Sequence, residues 1–177
     1  MTEELDIDIR EATPADAEAI AKVHVETWQS AYRGDIPDAI LDGLSLADRE
    51  MQWSQLLKDS KPRSNIYVAE VDGELVGFTS AGPCRDEDLM EFDVGEIYAI
   101  YVTPEHWREG IGSGLMRRTV EFLAQEDYDF MSLWVLKTNR KARDFYEKAG
   151  FVPDGTEKID DRDAYQLEEV RYRAMLH

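Results

Sequence analysis

Apolar and polar residues alternate with two periods along the chain, and together these predict a series of strands and helices. Residues 5–11 alternate with a period of two, which is typical of a half-buried strand. Thr13 and Pro14 suit the cap and first position of a helix, after which apolar residues recur at helical spacing up to Ala31. Further strands are predicted at 65–71, 74–81, 94–102, 129–136, 151–158 and 167–175, and further helices at about 45–58, 110–126 and 139–149.

The predicted order of elements is β-α-α-β-β-β-α-β-α-β-β. Asp72-Gly73 indicates a tight hairpin between two of the strands. With the central strand-helix-strand unit, this hairpin indicates a mixed α/β (α+β) fold, in which a central, mostly antiparallel sheet of about seven strands carries helices on both faces. The sequence contains no repeat, low-complexity tract or linker, so residues 1–177 are expected to form one domain.

Charge and composition exclude several classes of partner. The net charge is −18, which argues against nucleic acid and anionic membranes, since both require a basic surface. The acidity fits either attraction of a cationic substrate or a hydrated surface suited to high salt. The chain has seven lysines and 13 arginines, and its acidic residues are spread along the whole sequence. These features favour the second explanation, a halophilic protein whose surface is suited to high salt.

Cysteine and terminal composition favour a cytoplasmic protein. The start of the chain, Met1 to Asp6, has neither the basic residues nor the apolar core of a secretory signal. A single cysteine, Cys84, suits a reducing compartment and cannot form an internal disulfide. The three histidines and this cysteine lack the spacing of a metal site, so no metal is expected.

Glycines open the predicted helix that follows the strand at 94–102. Gly110 and Gly112 would let the backbone approach a ligand, while the first helical N–H groups point outward, which suits a phosphate or diphosphate. The alternative is that these glycines only permit a tight start to the helix. A dinucleotide fingerprint fails at Leu115, a P-loop lacks its Gly-Lys ending, and the acid of a methyltransferase loop, Glu109, is separated from the strand.

A short helix in the second half carries an asparagine and a tyrosine on one face. Asn139 and Tyr146 lie seven residues apart, which is two helical turns, and Asn139 also suits the N-cap. A capped amphipathic helix with a packed tyrosine explains the same residues without any chemistry.

The glycine turn and Asn-x-x-Ala-x-x-Phe-Tyr-x-x-x-Gly-Phe together, over nearly the whole chain, resemble the GNAT acetyltransferase superfamily. The resemblance implies acetyl-CoA as co-substrate, Asn139 as a cofactor contact and Tyr146 as the group that protonates the departing thiolate. At Trp107 the family usually has Arg or Gln, so phosphate binding is expected from backbone N–H groups. The cofactor-binding residues implied, besides Asn139, are Ile100, Val102, Trp107, Arg108, Glu109, Gly110, Ile111, Gly112 and Ser113.

Three residues are candidates for the acceptor side of such a site. Glu96 is a candidate base for the attacking amine, and alternation predicts that it shares a face with Tyr98 and Ile100. An ordinary charge at a strand end is the alternative. Trp28 and Tyr32, four apart on the first helix, would line the acceptor pocket or simply pack in the core.

The sequence therefore predicts an N-acetyltransferase that moves an acetyl group from acetyl-CoA to an amine by direct attack in a ternary complex. The alternatives are a non-enzymatic acyl-CoA-binding or sensing module and, on the glycine turn alone, a methyltransferase. The acceptor is a small-molecule or protein amine, whose identity the variable loops do not reveal. The family suggests a homodimer.

Overall fold

Seven strands and five helices make up residues 5–176, the part of the chain that the structure, a computed structural model, describes. The strands are β1 (Ile7–Glu11), β2 (Asn65–Val71), β3 (Glu74–Pro83), β4 (Val94–Val102), β5 (Phe130–Leu136), β6 (Val152–Asp161) and β7 (Gln166–Met175). The helices are α1 (Ala17–Ala31), α2 (Asp38–Asp42), α3 (Leu46–Lys58), α4 (Ile111–Gln125) and α5 (Arg140–Lys148).

All seven strands form one sheet in the order β1-β2-β3-β4-β5-β7-β6. Every neighbouring pair is antiparallel except β4 and β5, which are parallel and are joined through α4. The predicted mixed, mostly antiparallel sheet is confirmed.

Helices cover both faces of this sheet, as predicted. On the first face, α1 and α3 bury a core that includes Ile20, Trp53 and Phe78. On the second face, α4 and α5 pack on a larger core that includes Leu115 and Leu133. Within residues 5–176 no helix has both the length and the apolar character needed to cross a membrane.

Three local features differ from the predicted elements. Pro14–Asp16 forms a 3-10 turn and α1 begins only at Ala17, because the Asp16 carboxylate accepts from the Thr13 N–H at 2.8 Å and holds the turn closed. The helix α2 was missed, since five residues are too few to show a helical period; its Leu41 is fully buried. The strand β6 runs three residues further than expected, to Asp161.

The two parallel strands separate before they end. Hydrogen-bonded pairing between β4 and β5 stops at Ile97 and Leu133, although β4 continues to Val102 and β5 to Leu136. Just beyond Ile97 the register between β3 and β4 shifts by one residue, which marks a bulge at Tyr98. Residues 98–102 of β4 and 134–136 of β5 no longer pair with each other, and the space between them is called the β4–β5 gap below.

Candidate active site

The bulge at Tyr98 decides which side chains of β4 share a face. Ile97 and Ile100 are three residues apart, yet both pack on the second-face core, so alternation is broken between them. Glu96 therefore lies on the first face, with Ala99 and Tyr101. The prediction that Glu96 shares a face with Ile100 is wrong, because the extra residue in β4 reverses the alternation.

Backbone groups of β4 face the gap at Ile100 and Val102. The Thr103 N–H donates to the Val76 oxygen at 2.8 Å, so the peptide groups of Thr103 point toward β3. Because this direction alternates along an antiparallel strand, the peptide groups of Tyr101 also hydrogen-bond to β3. The peptide groups of Ile100 and Val102 consequently point the other way, toward β5. They form a polar edge along which an extended ligand can bind.

The glycine turn presents the amino end of a long helix. Arg108 and Gly110 have left-handed φ angles of 67° and 83°, a conformation that favours glycine at the second position. The first helical bond runs from the Gly114 N–H to the Gly110 oxygen at 3.1 Å. The N–H groups of residues 111–113 precede that bond and have no partner within the helix. These groups and the positive end of the helix dipole therefore face the space in front of the N-terminus of α4.

Trp107 points inward rather than toward this N-terminus. Its indole Nε1 donates to the Val102 oxygen at 2.7 Å, which ties the turn to the edge of the gap. The Lys141 ammonium lies 4.2 Å from the centroid of the Trp107 ring. The sequence reasoning missed Lys141, since only the packing of α5 beside α4 brings its charge to the turn.

Other side chains of the turn are engaged locally. The Glu109 carboxylate lies 2.7 Å from Nδ1 of His106, so this side chain is engaged within the turn. A Cβ added at Gly112 would touch the Phe145 ring at 3.5 Å, an ordinary contact that shows how near α5 lies to the start of α4.

The helix α5 brings Asn139 and Tyr146 to the gap in different ways. The Asn139 N–H donates to the oxygen of Leu136, the last residue of β5, at 3.0 Å, and Tyr146 belongs to the core against which Ile100 and Val102 pack. The Asn139 side-chain oxygen accepts from the Ala142 N–H at 3.1 Å, which confirms the predicted N-cap. Tyr146 is 9% exposed and packs among the rings of Phe145, Phe151 and Tyr172. Burial, and to a lesser extent Tyr101, raises the pKa of Tyr146, so its hydroxyl keeps a proton to donate at neutral pH.

On the first face, aromatic residues line the opening of the gap. The Trp28 indole N–H donates to the Tyr101 hydroxyl at 3.3 Å, and the Trp28 and Tyr32 rings are 4.8 Å apart. Both side chains also pack against the core cluster that contains Leu136 of β5. Trp28 and Tyr32, predicted to line the acceptor pocket, thus bridge the two strands that separate there.

The titrating groups around this opening influence one another. Burial raises the pKa of Tyr32, and Tyr101, Glu169 and Tyr146 raise it further. Burial likewise raises the pKa of Tyr101, with Glu169 adding to the rise. Three tyrosines and the Glu169 carboxylate therefore converge on the gap from β4, β7, α1 and α5. Sequence reasoning missed Glu169, because only strand pairing brings β7 beside β5.

Glu96 lies deeper, where β4 and β5 are still paired. Its side chain is 3% exposed, and its carboxylate accepts from the Arg85 backbone N–H at 3.0 Å and from Arg85 Nη2 at 2.9 Å. The atoms of Cys84, Asp86 and Glu96 that could ligate a metal ion lie within 4.8 Å of one another. Because arginines already bind both carboxylates, this cluster is an ion-paired unit rather than a vacant cation site.

Comparison with known proteins agrees with this geometry. The model of the Acetyltransferase (GNAT) family matches residues 24–151. The chain is 35% identical to an uncharacterised N-acetyltransferase, YuaI, of Bacillus subtilis (strain 168), over 81% of this chain and 87% of the relative. It is 34% identical to an uncharacterised N-acetyltransferase of Archaeoglobus fulgidus, over 79% of this chain and 89% of that protein.

Solved structures share the fold over almost the whole chain. PaiA N-acetyltransferase from Thermoplasma acidophilum, in complex with coenzyme A, is similar with a TM-score of 0.74 and 20% identity, over 96% of this chain and 99% of that one. YncA from Salmonella typhimurium, solved with its cofactor acetyl-CoA, has a TM-score of 0.73 and 19% identity, over 97% and 95%. From the family match and these relatives, the chain belongs to the GNAT acetyltransferase family.

Proposed function

We propose that this acetyltransferase moves the acetyl group of acetyl-CoA onto an amine by direct attack within a ternary complex. One observation carries the proposal: the free amino end of α4 and the hydroxyl-bearing ring of Tyr146 flank the same gap between parallel strands. Support also comes from the relatives, which are named N-acetyltransferases, and from two structural neighbours named with coenzyme A or acetyl-CoA.

The cofactor would bind along the second face. Its diphosphate would accept hydrogen bonds from the N–H groups of residues 111–113, where the helix dipole favours an anion. Lys141 would add a positive charge beside the Trp107 ring, in place of the Arg or Gln usual in the family. The pantetheine arm would bond to the peptide groups of Ile100 and to the N–H of Val102, which face the gap; the Val102 oxygen already accepts from the Trp107 indole.

The chemistry would require three proton transfers. The incoming ammonium loses a proton, for which Glu96 is the proposed acceptor through a water molecule, and the neutral nitrogen attacks the thioester carbon. When the tetrahedral intermediate collapses, the carbon–sulfur bond breaks and Tyr146 donates its proton to the leaving thiolate. The nitrogen, which became positively charged on attack, gives its second proton through water to the Tyr146 oxygen, so that the amide forms and Tyr146 is restored. Burial raises the pKa of Cys84, which keeps it a thiol and disfavours a covalent acetyl-cysteine route.

Replacement of Tyr146 by phenylalanine tests the acid role. We expect kcat for CoA release to fall by about 100-fold or more, because general acid catalysis contributes on that order. The Kd for acetyl-CoA should stay within about twofold, because the ring and its packing remain. Tyr67→Phe is the matched control, since it removes a hydroxyl from an equally buried tyrosine on β2, away from the gap.

The outcomes separate the alternatives. Unchanged turnover in Tyr146→Phe would exclude the acid role. Saturable acetyl-CoA binding without acetylation of any amine, from small amines to peptide N-termini, would instead support a non-enzymatic acyl-CoA-binding module. Failure to bind acetyl-CoA at any salt concentration would overturn the proposed function.

A further inference from the structure

Glu169 occupies a defined place on the acceptor side of the gap. It pairs with Leu136 across β5 and β7, and alternation puts it on the first face together with Leu167. Leu136 and Leu167 belong to the core cluster against which Trp28 and Tyr32 pack. The carboxylate therefore lies next to the aromatic lining of the gap, on the face opposite α4 and the cofactor diphosphate.

The group that now faces this carboxylate is an alkylammonium. Lys158 Nζ lies 3.6 Å from Oε2 of Glu169, beyond hydrogen-bond distance, and the Lys158 side chain is 46% exposed against 21% for Glu169. Asp160 and Arg162 are the other charges that act on Glu169. A partly buried carboxylate with a loosely held lysine can exchange that ammonium for one supplied by a ligand.

Four other acidic groups of this region are already bound by an arginine. Asp86, Asp88 and Asp154 each bind Arg171 at 3.2 Å or less. Glu96 is bound by Arg85. Glu169 thus differs from these carboxylates in having a lysine, rather than an arginine, as its ion-pair partner.

We propose that Glu169 binds a second ammonium group of the acceptor, so that the preferred substrates are diamines or longer polyamines. This inference rests on the proposed function. The attacking nitrogen must be neutral, so it cannot remain the charge partner of Glu169, whereas a second ammonium stays charged throughout the reaction. Trp28 and Tyr32 would pack against the methylene chain and attract the cation through their ring faces.

Matched amines and isosteric variants test the proposal. We would measure kcat/KM, at saturating acetyl-CoA, for a series of α,ω-diamines and for monoamines of the same chain lengths. The unmodified protein should prefer the best diamine by about tenfold or more, as expected for a charge-assisted hydrogen bond. Glu169→Gln should lower kcat/KM for that diamine by about the same factor and leave the monoamines within about twofold, whereas Glu169→Asp should retain part of the preference.

Two controls fix the direction of the effect. Glu168→Gln removes the same charge from the neighbouring, exposed position on the opposite face of β7, and should leave the diamine preference unchanged. Lys158→Met removes the competing ammonium, and should raise kcat/KM for the diamine.

Each remaining outcome contradicts the inference or the function beneath it. The inference is overturned if Glu169→Gln keeps the diamine preference, if Lys158→Met lowers it, or if the protein binds acetyl-CoA but acetylates no diamine in the series. Absence of acetyl-CoA binding by calorimetry would instead overturn the proposed function, so the two failures are distinguishable.

Discussion

Glu169 and Arg171 lie two residues apart on the same face of β7, and their surroundings are opposite. Arg171 is 1% exposed, and Asp86, Asp88 and Asp154 bind it at 3.2, 2.7 and 2.6 Å. Glu169 is 21% exposed and faces a lysine at 3.6 Å. Arg171 is therefore the centre of an ion-pair network with three carboxylates, whereas Glu169 is a carboxylate that can still accept further hydrogen bonds.

The difference separates structure from function along one strand. The Arg171 network joins β7 to β6 through Asp154 and to the segment between β3 and β4 through Asp86 and Asp88. That segment also contains Arg85, which binds Glu96. Arg171 therefore holds in place the residues behind the gap, while Glu169 and the tyrosines around it keep polar groups toward the gap for a ligand.

Removal of Arg171 should give the largest effect of the changes that test this contrast. Arg171→Met leaves three carboxylates without their shared cation, and breaking a buried ion pair from one side costs about 3 to 5 kcal/mol. The free energy of unfolding, measured by urea titration followed by circular dichroism, should fall by about that amount.

Arg173→Met is the control for that experiment. Arg173 also binds Asp154, at 2.7 Å, but its side chain is 39% exposed, so its loss should cost only about 1 kcal/mol. Equal losses in the two variants would contradict the view that the buried network, rather than any arginine on β7, stabilises this region.

The fold was largely predictable because its signals are local. Sequence patterns located all seven strands and four of the five helices, and the cap at Asn139 marked the start of α5. The glycine turn was also found from sequence, and Gly110 adopts a left-handed φ of 83° there. Features that failed depend on pairing or on short length: the bulge at Tyr98 and the five-residue α2 leave no period to detect.

The candidate site was predictable only in part, for the same physical reason. Residues within one element, such as Tyr146 on α5, could be placed by periodicity. The partners that give a residue its role come from distant elements: Arg85 for Glu96, Lys141 for Trp107, and the Leu136 pairing for Glu169. Arg85 and Lys141 belong to no motif at the positions they contact, so no pattern in the sequence announces them.

The burial of the aromatic lining gives the next test, at His24, whose ring packs against Trp28 and Tyr101. Burial, followed by the nearby Arg49 charge, lowers the pKa of His24 to about 4, and its Nδ1 accepts from the Trp53 indole at 3.1 Å. Below pH of about 6.5 the unfolded chain takes up a proton at this residue, whereas the folded protein does not until about pH 4. Stability should therefore fall as pH decreases through this window, by up to roughly 3 kcal/mol from His24.

His24→Gln isolates that contribution, because glutamine keeps an acceptor for Trp53 but takes up no proton. The free energy of unfolding of the two proteins, measured from pH 7 to pH 4, should diverge as the pH falls, with the variant losing less stability. Parallel curves would mean that water reaches the ring and that the lining of the gap is wet.

Replacement of Lys141, on the second face of the sheet, should give the smallest effect of these changes. Like Glu169, Lys141 has an aromatic neighbour and a charge directed at a ligand site, here the Trp107 ring at 4.2 Å beside the start of α4. Lys141→Ala should raise the KM for acetyl-CoA by about threefold to tenfold with kcat unchanged, because uniform binding of a distant phosphate lowers KM alone. The rise should shrink at high salt, where the phosphate–ammonium attraction is screened. Lys148→Ala removes the same charge from the last turn of the same helix and should leave the KM for acetyl-CoA unchanged. An equal rise of KM in this variant would mean that the Lys141 effect comes only from the overall charge of α5.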